Sequence, residues 1–194
     1  LDNMHSMNQS LTTQIIMTPV MSKFYEHFLQ WVIDEEDVGL IIKSKRTAVQ
    51  ETMPNVLPLL KQAEKTGRCF NITDPHRIQP DVFAKISNFV VSIGIYLPGA
   101  LLESILEGVR GVFYDYGNLQ SNEQELYAWG GKKVIFNDLY EMVESIKKFK
   151  YNPLSIPDLG DWSSHLDELD PFRDGKGGER IGVYVRWLQE AFDQ

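Results

Sequence analysis

The stretch NFVVSIGIYLPGALLESILEGVRGVFYDY, residues 88–116, decides the fold that we predict for this chain. It opens with an aromatic and β-branched run, Phe89-Val90-Val91, which is typical of a buried strand. A turn closed by Pro98-Gly99 follows, and apolar residues then recur at helical spacing over residues 101–109. A second apolar run, Val112-Phe113-Tyr114, completes a strand–helix–strand unit of the length that a right-handed parallel crossover needs.

The start of this predicted helix is a candidate ligand site. A helix that begins at Pro98 and Gly99 has backbone N–H groups without helical partners, and such groups bind anions. In open parallel sheets, ligands lie beyond the carboxyl ends of the strands. The pattern therefore predicts either a ligand-binding crossover or an ordinary βαβ unit that binds nothing here.

Helices and strands alternate along the rest of the chain. Periodicity predicts helices over residues 18–34, 55–65, 80–86, 123–129, 138–149 and 177–192, and further strands over residues 38–42, 68–72 and 133–136. Asn137 is the predicted cap of the helix that follows it. This alternation predicts an α/β fold, a three-layer α/β/α sandwich with a doubly wound, mainly parallel, Rossmann-like sheet. We expect a flexible lead-in over residues 1–17 and a single domain over residues 18–194.

Composition excludes several classes of function. The net charge of −8 argues against a nucleic-acid partner, because phosphate binding rests on clustered Lys and Arg. Apolar runs fall short of the roughly 20 residues that span a bilayer, and the polar N-terminus lacks the apolar core of a signal peptide. The single cysteine, Cys69, fits a buried position in a reducing, cytoplasmic protein. His and Cys lack metal-ligand spacing, so we expect neither a metal nor a cofactor.

Two basic or polar turns follow predicted strands. Lys43-Ser44-Lys45-Arg46 puts three cations just past the carboxyl end of a strand, where a diphosphate would lie, although a solvated basic turn has the same sequence. Asp115-Tyr116-Gly117-Asn118 follows the second strand of the central unit, and Gly117 permits a tight turn there. Tyr116 and Asn118 are candidates to contact a base or a sugar, with a plain turn as the alternative.

A glycine-rich run precedes the last predicted helix. In residues 174–180, DGKGGER, the glycines let backbone approach a ligand and the helix start offers N–H groups, which makes Lys176 and Arg180 candidates. A simple helix cap explains the same run. His76 is the histidine nearest to the central unit in sequence, and it is a further candidate.

The central unit carries a resemblance to a known family. LLESILEGVRGVFYD, residues 101–115, resembles the LLEA-x-x-x-G-x-P-V-V segment in the nucleotide-binding half of GT-B glycosyltransferases. The resemblance implies that Glu103 holds the ribose of a nucleotide-sugar donor. Ile95 stands where many retaining members carry a second glutamate, and Arg110 stands where the family often has proline. The run DGKGGERI, residues 174–181, is similar to a stretch near the C-terminus of surface-polysaccharide transferases.

The resemblance covers residues 18–192 and implies a function. The chain would be the donor-binding, C-terminal domain of a glycosyltransferase in surface polysaccharide synthesis, with a nucleotide sugar as substrate and no catalytic residue assigned. A glycan acceptor would bind to an N-terminal half that has no counterpart here, so the domain alone would transfer poorly. Such enzymes are cytoplasmic and associate peripherally with the inner face of the membrane. The predicted substrate-binding residues are Lys43, Lys45, Arg46, His76, Ser92, Tyr96, Pro98, Gly99, Glu103, Tyr116, Asn118, Lys176 and Arg180.

Two alternatives stay open at this point. One is a sugar-nucleotide 2-epimerase domain of the same fold, which would act without an acceptor. The other is a non-catalytic α/β interaction module, because a fold does not by itself imply a function. The module would bind no nucleotide and would expose an apolar patch instead of a polar cleft at the strand ends.

Overall fold

The computed structural model describes residues 5–6, 16–43, 53–72, 79–94, 97–118 and 125–192. Contacts divide the chain into two compact units, Leu1–Trp162 and Ser163–Gln194. The division after Trp162 falls inside the range that the sequence predicts as one domain.

The described part of the first unit alternates helices with strands. Its helices are α1 (Thr18–Asp34), α2 (Leu57–Lys65), α3 (Pro80–Ala84), α4 (Gly99–Leu106), α5 (Glu125–Gly130) and α6 (Leu139–Tyr151), followed by a 3₁₀ turn at Pro153–Ser155. Its strands are β1 (His5–Ser6), β2 (Ile16–Met17), β3 (Leu40–Lys43), β4 (Cys69–Ile72), β5 (Phe89–Gly94), β6 (Arg110–Asp115) and β7 (Ile135–Phe136). The strands β1 and β2 lie in the range predicted as a lead-in.

Pairing between the described strands is parallel throughout. The strand β1 pairs with β2, β3 pairs with β4, and β5, β6 and β7 form a three-stranded sheet in that order. In the last of these sheets Phe89 lies opposite Arg110, and Gly94 lies opposite Asp115. The predicted α/β class with parallel strands is therefore confirmed, and so is the strand–helix–strand unit of residues 88–116.

The central unit differs from its prediction in where the first strand ends. The strand β5 continues to Gly94, through residues predicted as a turn, and both Ser92 and Ile93 are fully buried. The helix α4 ends where Gly108 adopts a left-handed φ of 83°. Glycine accepts that conformation without the clash that a Cβ would bring. The turn is therefore short, and β6 begins two residues later.

The helix α1 supplies much of the core of the first unit. Its bounds equal the predicted ones, and Met21 and Leu29 on its apolar face are fully buried. The same cluster of buried side chains includes Ile42 of β3, Ile93 of β5 and Met142 of α6. One apolar core thus joins the β3–β4 sheet and the β5–β6–β7 sheet to α1 and α6.

A segment after α6, residues 157–162, closes the amino end of β6; we call it the closing segment. Gly111 donates its N–H to the carbonyl of Gly160 at 2.9 Å, and Gly160 donates its own to Lys133 at 2.8 Å. The Arg110 guanidinium donates to the carbonyls of Pro157 and Leu159, each at 2.7 Å. Arg110, where the resembling family often has proline, therefore ties this segment to the sheet.

The helix α6 is capped by Asp138, so the predicted cap at Asn137 is wrong. The Asp138 carboxylate accepts from the N–H of Glu141 at 2.8 Å, which satisfies a free donor in the first turn. At the other end of α6, Lys150 donates to Glu35 at 3.0 Å and Tyr151 donates to the same carboxylate at 2.5 Å. These bonds join the ends of α1 and α6.

The second unit contains a 3₁₀ turn (Ser163–His165), the short helix α7 (Leu166–Leu169) and the helix α8 (Gly177–Phe192). The bounds of α8 match the prediction. Its predicted apolar face is exposed, with Ile181 66% and Phe192 86% accessible. Among the residues that the structure describes, no helix combines the length and the apolar character needed to cross a membrane.

Candidate functional site

The ends of β5 and β6 and the start of α4 form the candidate site, which we call the carboxyl edge (Gly94, Pro98, Gly99 and Asp115). Gly94 and Asp115, the last residues of their strands, lie opposite each other in register. The helix α4 starts at Gly99 with Pro98 as its N-cap residue, and Pro98 accepts from the N–H of Leu101 at 2.9 Å. The helix α4 thus begins shortly after the carboxyl end of a parallel strand in the chain, and α/β sheets bind anions at helix N-termini in such positions.

Glu103 lies just past the first turn of α4 and is exposed to solvent. The face of α4 that turns inward carries Leu101, Ser104 and Ile105, all of which are buried. The Ser104 hydroxyl donates to the carbonyl of Ala100 at 2.8 Å. The side chain of Glu103 is therefore not packed like those of its neighbours, and its carboxylate is available to accept hydrogen bonds from the hydroxyl groups of a ligand.

The turn after β6 has the tight geometry that the sequence predicts. Gly117 has φ 84° and Asn118 has φ 53°, both left-handed, and Asn118 donates its N–H to the carbonyl of Asp115 at 3.2 Å. Tyr116 is half-buried, whereas Asn118 is exposed. The two predicted contact residues therefore lie in one ordered turn next to the carboxyl edge.

Asp115 belongs to this site, although the sequence did not single it out as a ligand-binding residue. Its side chain is fully buried and accepts a hydrogen bond from the Tyr127 hydroxyl of α5 at 2.6 Å. Burial, and then this bond to a carboxylate, raises the pKa of Tyr127 well above its ordinary value. The sequence feature that indicates Asp115 is a single carboxylate directly after the apolar run Val112-Phe113-Tyr114.

Lys43 is the described member of the predicted basic turn. It ends β3 opposite Ile72 of β4, and only 8% of its surface is accessible, so it is not a solvated surface cation. The other two cations of that turn, Lys45 and Arg46, lie outside the described residues, as do the predicted His76 and Tyr96.

A cavity of about 770 Å³ lies alongside β3 and β5. Its walls include Ile42 and Lys43 from β3, Val90 and Val91 from β5, and Phe28 from α1. Of the predicted site residues that the structure describes, Lys43 alone lines it. Ser92 is buried inside β5 instead, and the carboxyl edge is not part of the cavity wall.

The candidates Lys176 and Arg180 belong to the second unit. The Asp174 carboxylate accepts from the N–H of Lys176 at 3.0 Å and forms an ion pair with Arg180, whose guanidinium lies 3.8 Å above the Phe172 ring. The bond from Arg180 lowers the pKa of Asp174. These contacts match the helix-cap alternative, because the polar groups satisfy one another at the start of α8.

Neither a metal-ligand cluster nor a similarity to a known protein assigns a function to the carboxyl edge. Within the described ranges, no group of three or more His, Cys, Asp or Glu side chains could hold a metal ion. Comparison with known proteins finds no match to this chain among protein-family models, curated proteins or solved structures.

Proposed function

We propose that this chain is the donor-binding half of a GT-B glycosyltransferase that uses a nucleotide-activated sugar in surface polysaccharide synthesis. The observation that carries the proposal is the unit β5–α4–β6, in which exposed Glu103 stands next to a helix N-terminus at the carboxyl end of a parallel strand. The resemblance of residues 101–115 to the ribose-binding segment of that family supports the same role.

We also propose that β3 and β5 are neighbours in one doubly wound sheet with the order β4-β3-β5-β6-β7, covered on both faces as a three-layer sandwich. Both strands border the same cavity, and Ile42 and Ile93 belong to one core. In that order the connection after β3 leads to β4 on one side of the sheet, and the connection after β5 leads to β6 on the other side. Ligands of α/β sheets bind at such a switch point, which would bring Lys43 and the start of α4 to one crevice.

Each group at this crevice has a role in the proposal. The Glu103 carboxylate accepts hydrogen bonds from the ribose hydroxyls, and Lys43, with Lys45 and Arg46, neutralises the diphosphate. The N–H groups at the start of α4 stabilise the charge that develops on the leaving nucleoside phosphate. Tyr116 and Asn118 contact the base or the transferred sugar. The acceptor binds to a separate N-terminal half, at the cytoplasmic face of the membrane.

Calorimetric titration with UDP, GDP, CDP and CMP tests this proposal. We expect saturable binding of one of the four nucleotides. Glu103→Gln should weaken that binding about tenfold, the effect of losing a hydrogen bond to a charged group. The matched control is Glu107→Gln at the opposite end of α4, where the carboxylate pairs with Lys85, and its affinity should equal that of the wild type. Failure of all four nucleotides to bind would overturn the proposal.

One observation favours a second candidate, a non-catalytic interaction module. The helix α8 exposes several large apolar side chains, among them Ile181, Trp187 and Phe192, where a lone domain would be expected to be polar. A module of this kind recognises a protein surface and has no affinity for nucleotides. The same titration therefore separates the two candidates.

A further inference from the structure

Asp115 is a fully buried carboxylate at the end of a strand whose preceding three residues, Val112, Phe113 and Tyr114, are buried apolar or aromatic side chains. Removing a carboxylate from water costs stability unless hydrogen bonds compensate, and an apolar residue at the same place avoids that cost. The position of Asp115 therefore calls for an explanation other than packing.

The contacts of Asp115 reach two different elements. Its carboxylate accepts from the Tyr127 hydroxyl of α5 at 2.6 Å, and its backbone carbonyl accepts from the N–H of Asn118 at 3.2 Å. Asn118 has φ 53°, a left-handed conformation that asparagine adopts more readily than most other residues with a Cβ. Asp115 thus links α5 to the left-handed turn at the carboxyl edge.

We propose that Asp115 is a positioning residue that, together with Tyr127, holds the turn Tyr116-Gly117-Asn118 in the conformation required for donor binding. The inference rests on the proposed function. Because Asp115 lies opposite Gly94, the turn begins beside the carboxyl end of β5. A shift of Asp115 therefore moves Tyr116 and Asn118 relative to Glu103 and the start of α4, and so changes which nucleotide fits.

Two variants test this role and leave Tyr116 and Asn118, the residues proposed to contact the donor, unchanged. Tyr127→Phe deletes one oxygen and keeps the ring, and Asp115→Asn keeps the shape and removes the charge. The control is Tyr140→Phe, because the Tyr140 side chain is exposed on α6. Affinity for the nucleotide that the wild type binds is measured by calorimetry, and amide hydrogen exchange is followed at Asn118. The Gly111 amide, which is bonded to Gly160 and not to the turn, is the internal reference in the same spectra.

We expect Tyr127→Phe to speed exchange at Asn118 about tenfold and to weaken nucleotide affinity about tenfold, with exchange at Gly111 unchanged. The second variant, Asp115→Asn, should act in the same direction. Unchanged exchange at Asn118, or faster exchange with wild-type affinity, would overturn the positioning role while leaving the proposed function intact. Absence of nucleotide binding by the wild type would instead remove the proposed function, and this inference with it.

Discussion

The indole N–H of Trp162 donates a 2.8 Å hydrogen bond to the carbonyl of Gly111, which lies 51 positions earlier in the chain. Trp162 is buried, and its ring packs edge-on against Trp129 with the ring centroids 5.4 Å apart. Gly111 also bonds through its N–H to Gly160. The closing segment therefore bonds to both the N–H and the carbonyl of Gly111, near the amino end of β6.

Replacing Trp162 by Phe should lower the free energy of unfolding by about 1–3 kcal/mol, because the buried Gly111 carbonyl loses its donor and part of the indole contact is lost. Urea unfolding followed by circular dichroism measures this. The matched control is Trp187→Phe on α8, where the side chain is 57% exposed and a change within about 0.5 kcal/mol is expected. Equal losses in the two variants would show that the Gly111 bond contributes nothing.

Replacing Gly160 by Ala should destabilise the protein by about 3 kcal/mol or more. Gly160 has φ 67°, and a Cβ there would lie 2.9 Å from two ring carbons of Phe89 and 3.0 Å from the Gly111 nitrogen. The variant therefore adds a clash in a packed interior to the backbone strain.

Gly67→Ala separates these two contributions. Gly67 has a similar φ of 73°, but a Cβ there meets no atom within 4 Å. We expect a loss of about 1–2 kcal/mol from strain alone. If Gly160→Ala were no worse than Gly67→Ala in urea unfolding, the close approach of Gly160 to Phe89 would not constrain the fold.

The contact between Glu35 and Tyr151 predicts a pH dependence of stability. The Tyr151 hydroxyl, assisted by Lys150, lowers the pKa of Glu35 to about 2 from its ordinary 4.5. Because the folded-state pKa is the lower one, this contribution to stability is complete above about pH 5 and is lost as pH falls toward 2. Tyr151→Phe should therefore lower the urea midpoint most at pH 7 and progressively less toward pH 2. Tyr140→Phe, the control, should show no such pH-dependent difference, and a constant deficit in Tyr151→Phe would refute the linkage.

The thiol of Cys69 should be unreactive in the folded protein. Burial in β4, with a smaller effect of the Glu64 charge, raises the pKa of this thiol to about 11 from 9.0. Since the thiolate is the reactive form, alkylation by iodoacetamide at pH 8 should be at least about a hundredfold slower in buffer than in concentrated urea. Mass spectrometry counts a single modified site, because the chain has one cysteine. Similar rates in both solutions would contradict the burial of β4.

Most of the helices and strands could be predicted from the spacing of apolar residues along the chain. The apolar repeat of α1 predicted both of its ends correctly, and the aromatic and β-branched run Phe89-Val90-Val91 predicted the start of β5. The contacts of Arg110 with Pro157 and Leu159 could not be predicted, because they join positions 47 and 49 residues apart that share no pattern. The cap of α6 was misassigned because Asn137 and Asp138 are both good capping residues, and the backbone decides between them.

The candidate site was predicted less completely than the fold. The sequence placed Glu103 on a helix, and the structure has it there. It placed Lys43 in a turn just past a strand, whereas Lys43 is the last residue of β3. It did not predict that Lys43 is buried or that Ser92 lies inside β5, because burial depends on neighbouring elements. The sequence assigns Asp115 to a turn, because its bond to Tyr127 joins positions 12 residues apart that share no pattern.

The closing segment also bears on how the chain folds during synthesis. The strands β5, β6 and β7 leave the ribosome before residues 157–162, so the amino end of β6 emerges before the groups that bond to it. Gly111 and Arg110 must therefore stay solvated until α6 and the closing segment have been made. Nascent chains that stall earlier would carry an open sheet end, and such ends are sites of aggregation.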